Sequence, residues 1–103
     1  MYKVEYLPSA LSDMSEIIRY ISKELANKTA ANRLAEKFIE TADKLADFPY
    51  ANSVYVPIKP LKNEYRKAVI DNYLMFYYVN ETTKTVTVSR VIYGKRDYTD
   101  RIE

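Results

Sequence analysis

Between Pro8 and Pro49 apolar residues recur at three- and four-residue spacing in two stretches with one short break, and beyond Pro49 that period is gone. Ala10, Leu11, Met14, Ile17, Ile18, Ile21 and Leu25 form one helical stripe, and Ala31, Leu34, Ala35, Phe38, Ala42 and Leu45 form a second. Pro8-Ser9 reads as a helix start with Ser9 as N-cap, and Asp13 and Glu16 follow early in the helix, where its dipole favours acids. Asn27 reads as a stop, Thr29 as the cap of the second helix and Phe48-Pro49 as its end. Two amphipathic helices joined by so few residues must lie antiparallel, as an α-hairpin with one apolar side to bury.

The rest of the chain supplies what that side buries against. Tyr2-Lys3-Val4-Glu5-Tyr6 alternates as a short strand, and residues 64–70, 73–79 and 84–92 alternate and are rich in β-branched and aromatic side chains. Residues 80–83 are a hairpin-length connection. Residues 50–63 hold Pro57 and Pro60 and no clean period, so they read as a loop with a short strand near 54–56. The order β-α-α-β-β-β, with its strands clustered, implies an α+β fold: an antiparallel-dominated sheet with the α-helical hairpin on one face. At 103 residues the expectation is a single domain, 1–103.

The residues present exclude several chemistries. The chain has no cysteine and no histidine. Thiolate zinc sites, disulfides, cysteine nucleophiles and Ser–His triads are therefore ruled out, and no metal or cofactor is expected. No apolar run approaches the length of a membrane span, and the alternating, charged start is unlike a signal peptide, so the expected location is the cytoplasm, away from any membrane.

Net charge is only +2 but unevenly placed. Residues 1–50 carry seven Lys/Arg against eight Asp/Glu, residues 51–103 nine against six. Lys59, Lys62, Arg66 and Lys67 form a basic group suited to phosphate, or equally to protecting a sheet edge. Arg90 shares a predicted strand face with Val86, Val88 and Ile92, so it needs a carboxylate or a place at a concave rim. Gly94-Lys95-Arg96-Asp97 presents two cations beyond a glycine turn. Eleven tyrosines offer rings for base stacking, but mid-strand Tyr73, Tyr77 and Tyr78 are better read as sheet packing, while Tyr93 and Tyr98, in the charged tail, fit either role. Cations can stabilise the charge that grows during 2′-hydroxyl attack on RNA, but a proton acceptor is also needed, and without histidine none is obvious.

Together these segments resemble the RelE/ParE superfamily. Tyr65-Arg66 opens one strand, Asn72-Tyr73 to Phe76-Tyr77 forms the next, and Arg90-Val91-Ile92-Tyr93-Gly94-Lys95-Arg96-Asp97 closes the last. In the first half, Asp13, Ile17 and Tyr20-Ile21, then Ala30-Ala31, then Leu45-Ala46-Asp47-Phe48-Pro49 match the family's helical hairpin. The resemblance spans essentially the whole chain. It implies the toxin of a bacterial type II toxin–antitoxin pair, a growth-arresting and plasmid-stabilising protein neutralised by a cognate antitoxin whose disordered segment folds around it.

Two targets follow from the resemblance: DNA gyrase in the ParE-like branch, and mRNA on the ribosome in the RelE-like branch. For mRNA cleavage the implied catalytic group is Arg66, Lys67, Lys95, Arg96 and Tyr98. For target or nucleic-acid binding it is Lys59, Lys62, Arg66, Arg90 and Tyr93. Leu74 stands where the mRNA-cleaving branch carries an arginine, and Tyr93 where some members carry histidine. The Asn72–Tyr77 strand and the long helical hairpin favour the ParE-like branch. A third alternative is a degenerate member that keeps the fold without toxicity.

Overall fold

The computed structural model describes residues 1–103. Its elements are β1 (Lys3–Tyr6), α1 (Pro8–Arg19) continued by a π-helical turn (Tyr20–Glu24), α2 (Lys28–Leu45), β2 (Arg66–Ile70), β3 (Tyr73–Asn80) and β4 (Thr85–Tyr93). The strands form one sheet in the order β1-β4-β3-β2, with β1 parallel to β4 and the other two pairings antiparallel. This is the α+β arrangement expected from the chain order.

The helix boundaries depart from the expected caps in instructive ways. Leu7, in extended conformation, is the N-cap of α1 and has no side-chain cap bond. Pro8 follows it and removes one amide that would need a partner. Ser9 turns away instead, and its hydroxyl donates to the Ser89 carbonyl of β4 at 2.8 Å. Asn27, read as a stop, also caps α2: its side-chain oxygen accepts from the Ala30 amide at 3.0 Å, which displaces Thr29 from that role. Ala26, at φ 48°, turns the chain between the helices.

The hairpin buries its stripe as the period requires. Ala10 and Met14 of α1 and Leu34, Phe38, Ala42 and Leu45 of α2 pack on Ala68, Ile70, Met75, Tyr77, Val86, Val88 and Val91 of the sheet. On the opposite face Phe76 and Ile92 meet Tyr55, Tyr65 and Ile102, with Leu61, Leu74, Tyr78 and Tyr98 packed around them. That second cover is irregular chain from residues 50–65 and 98–103. The strand expected near 54–56 reduces to a single bridge, Val54 to Arg66. Pro57 and Pro60 carry no amide to extend the ladder.

A register shift between Phe76 and Tyr77 corrects one further expectation. Phe76 pairs with Arg90 but Tyr77 pairs with Val88, so Ser89 is an extra residue in β4. A bulge reverses the alternation beyond it. Val86 and Val88 therefore join Val91 on the helix side, while Arg90, opposite Phe76, falls with Ile92 on the other face, so of the three apolar residues expected beside it Arg90 keeps only Ile92. The buried Ser89 hydroxyl lies 3.2 Å from the Phe76 carbonyl and 3.3 Å from that of Ile102.

No helix is long and apolar enough to cross a membrane.

Candidate functional site

β1 runs beside β4 only from Thr85 to Val88, so the edge of β4 beyond it needs other partners. The start of α1 provides them. The Leu7 amide donates to the Val88 carbonyl at 2.9 Å, and the Val91 amide donates to Asp13 Oδ2 at 2.9 Å. Asp13 also accepts from Arg90 through both oxygens, Nε at 2.7 Å and Nη2 at 3.0 Å. Arg90 Nη1 donates to the Arg101 carbonyl at 2.9 Å. The acid expected for Arg90 is thus Asp13, and their hydrogen bonds hold the guanidinium above its ordinary pKa.

Where α1 gives way to the π-helical turn, it parts from the end of β4 and leaves a groove of about 780 Å³. Its walls are Asp13, Glu16, Ile17, Tyr20 and Leu25 on the helical side and Tyr73, Arg90 to Tyr93, Arg96 and Arg101 on the other. Tyr73 stacks edge-on against Phe38 at 5.9 Å and Tyr93 at 5.7 Å. Burial raises the Tyr73 phenol above its ordinary pKa, with smaller contributions from Tyr93, Tyr20 and Asp71. Tyr20 and Tyr93 keep 55% and 38% of their surface exposed, leaving ring area for a ligand. Of the three arginines only Arg90 is ion-paired; Arg96 and Arg101 make no salt bridge.

The groove is bordered by a tight turn at Gly94, where a side chain would crowd the neighbouring strand. The Gly94 amide donates to the Asn72 carbonyl at 2.7 Å, and a Cβ at that position would lie 3.2 Å from the same oxygen. The turn closes with the Arg96 amide donating to the Tyr93 carbonyl at 3.1 Å.

Of the residues singled out from sequence, Arg90, Tyr93 and Arg96 come together here, while Lys95 is exposed on the turn between Gly94 and Arg96. Arg66 lies elsewhere: its guanidinium donates to the Asn52 carbonyl at 2.7 Å and sits 5.0 Å over the Tyr50 ring. Arg66 pairs with Tyr77 whereas Tyr93 pairs with Tyr73, so the two positions differ by about 13 Å along β3 at the usual rise per residue. Lys67 points to the opposite face, its ammonium 6.0 Å from the Tyr55 ring. Tyr98 is half-buried there, 5.4 Å from Phe76 and 6.0 Å from Tyr55. Lys59 borders a recess beside Asp100 and Glu103, and the Lys62 amide donates to Glu103 Oε2 at 2.8 Å. The five residues implied for mRNA cleavage are therefore divided among three places.

Sequence reading missed Tyr20, Leu25 and Arg101 as groove residues. The signal for Tyr20 lay in spacing: Asp13, Glu16, Ile17 and Tyr20 follow one helical face. For Arg101 there was none, because irregular chain carries no period.

The chain thus lays a two-helix hairpin on one face of a four-stranded sheet and closes the last strand with an arginine-bearing turn. A family model for the ParE toxin of type II toxin–antitoxin (parDE) systems matches residues 4–98. The chain belongs to that family and is the toxin of a type II toxin–antitoxin system. No curated protein matches it in sequence. Among solved structures it is similar to the chromosomal ParDE toxin–antitoxin system from P. aeruginosa, at 13% identity and TM-score 0.70 over 90% of this chain and 96% of that one. It is also similar to the RelBE2 toxin–antitoxin complex from Mycobacterium tuberculosis, at 18% and 0.60 over 89% and 96%. The intact RelBE complex from E. coli gives 17% and 0.58 over 93% and 100%. At these identities the likeness to solved structures is one of fold.

Proposed function

We propose that the chain arrests growth by binding DNA gyrase, as the ParE-like branch does, and that it is not a nuclease. The observation that carries this reading is the dispersal of the residues implied for mRNA cleavage, Arg66, Lys67, Lys95, Arg96 and Tyr98, over three places. Asp13 is committed to Arg90 and to the Val91 amide, and the Tyr73 phenol is shifted away from neutrality. A binding function needs neither a converged cationic centre nor a base. The match to the ParE family supports the same branch.

A cognate antitoxin completes the proposal. On the outer side of the hairpin, Leu11, Met14, Ile18, Phe38 and Ile39 line a groove of about 440 Å³ bordered by Arg19 and Lys23. An amphipathic antitoxin helix with acidic flanks has the chemistry to fill it. Pulse labelling after induced expression, without antitoxin, tests the target. Thymidine incorporation should fall first, and the purified chain should inhibit supercoiling by gyrase in vitro. Early collapse of leucine incorporation with DNA synthesis intact would instead establish the mRNA-cleaving alternative.

A further inference from the structure

We propose that two copies of this chain associate edge to edge through β1, antiparallel about Val4, with Lys3 of each copy facing Glu5 of the other. β1 is one end of the sheet, and β4 is its only neighbour. The Lys3 amide donates to the Lys84 carbonyl and the Leu7 amide to the Val88 carbonyl, so the backbone of Lys3, Glu5 and Leu7 turns toward β4. The backbone of Val4 and Tyr6 therefore points out of the sheet, where no strand lies. The Tyr2 amide points the same way and is met by the Ala46 carbonyl at 2.8 Å, which ends the open stretch there. The opposite edge of the sheet is less open: Val54 bridges Arg66, and the Lys67 amide donates to the Ser53 carbonyl at 3.2 Å.

An open edge alone names no partner; the charges on β1 do. Val4 and Tyr6 pack against the helix-side cluster, so alternation puts Lys3 and Glu5 on the other face, where both are exposed and lie 3.5 Å apart. A two-fold axis through Val4 sets Val4 opposite its own copy, where the outward amides and carbonyls exchange hydrogen bonds. The same axis sets Lys3 opposite Glu5 on both sides. Neighbouring registers lose this match: an axis at Glu5 opposes two carboxylates, and an axis at Lys3 opposes two ammonium groups. The axis at Val4 also brings Leu7 of one copy to the Tyr2 end of the other, where Phe48 follows two residues after Ala46. Leu7 and Phe48 are apolar yet keep 36% and 65% of their surface exposed, and this pairing gives them a partner.

This inference rests on the sheet edge alone and not on the gyrase reading. The test is sedimentation equilibrium of the purified chain at low salt over rising concentration, where the average mass should climb toward that of a dimer. Glu5→Lys sets Lys3 opposite a second cation and should weaken self-association roughly tenfold or more. Lys3→Glu should do the same by opposing two carboxylates. Mixing the two variants restores an opposite-charge pair at all the facing positions, so the mixture should associate although neither variant does so alone. The chain carrying both substitutions should associate like the native one, and Lys28→Glu, exposed at the start of α2, should change nothing. Circular dichroism of each variant confirms folding. A chain that stays monomeric at every concentration would overturn the inference, as would self-association indifferent to Glu5→Lys and Lys3→Glu, or variants that stay apart when mixed. Association confined to mixtures with a cognate antitoxin would assign the edge to that partner and overturn it too. None of these results would touch gyrase inhibition measured on the same preparation.

Discussion

The two faces of the sheet are covered by different kinds of chain. On one side two regular helices satisfy their own backbone and press a stripe of side chains into a cluster of thirteen buried residues. On the other, segments 50–65 and 98–103 cover a cluster of five. Irregular chain must find a partner for each amide separately. Tyr55 N donates to the Tyr65 carbonyl at 2.8 Å, Lys67 N to the Ser53 carbonyl at 3.2 Å, and the Tyr65 hydroxyl to Glu103 at 3.1 Å. The helical cover should therefore behave as one cooperative unit with the sheet, and the irregular cover as a separable one.

The sharpest way to break that comparison is Phe38→Ala. Phe38 is 1% exposed and belongs to the helix-side cluster, so the substitution should cost about 4 kcal/mol in denaturant unfolding. Because helices and sheet share this cluster, amide protection should fall throughout both. If protection falls in α2 alone, the helical cover is not cooperative with the sheet.

Ile102→Ala is the matching test on the other face. Ile102 is equally buried, yet its neighbours lie on loop and tail that can collapse into the space, so about 2 kcal/mol is expected. Hydrogen exchange should accelerate in residues 53–67 and not in the helices. A global loss matching that of Phe38→Ala would show that both covers belong to one unit.

Arg90→Ala probes where the covers meet, since its guanidinium binds Asp13 of α1 and the Arg101 carbonyl of the tail. Both side chains of the ion pair retain some solvent contact, so a loss of about 1.5 kcal/mol is expected, smaller than for a deeply buried pair. A double-mutant cycle with Asp13→Ala should give a coupling near 1 kcal/mol. A coupling near zero would reassign the loss to the tail contact.

The same contrast explains what the sequence disclosed. The hairpin stripe from Ala10 to Leu45 and the three later strands follow periods of 3.6 and 2, so elements, order and one buried face were legible. The second cover has no period. Tyr98 and Ile102 look like parts of a charged tail until the sheet face beneath them is seen. The Ser89 bulge was also hidden, because one extra residue leaves the apolar pattern of β4 nearly intact while reversing its faces. Arg90, Tyr93 and Arg96 were found because adjacency in sequence carries into the groove, whereas Arg66 and Lys67, also adjacent to each other, are sent to opposite faces by strand alternation.

The smallest effect lies outside both covers, where the turn between β3 and β4 meets the start of β1 and the loop after α2. Glu81 accepts hydrogen bonds from the Tyr2 hydroxyl at 2.7 Å and the Lys84 ammonium at 2.6 Å, and from the Tyr50 hydroxyl. Lys84 and then Tyr50 lower its pKa from 4.5 to about 2, while Glu81 raises that of Tyr50 from 10.0 to about 12. A carboxyl depressed on folding contributes stability above its unfolded value, and that contribution disappears as pH falls from 4.5 through 2. A phenol raised on folding contributes below its unfolded value and loses that contribution as pH rises from 10.0 through 12. The stability difference between the native chain and Glu81→Gln should accordingly be flat between those limits and shrink beyond both. All these groups face solvent, so the difference should be small and should decline with added salt. A difference that grows on acidification, or survives molar salt unchanged, would mean that Glu81 acts through packing of the turn and not through its charge.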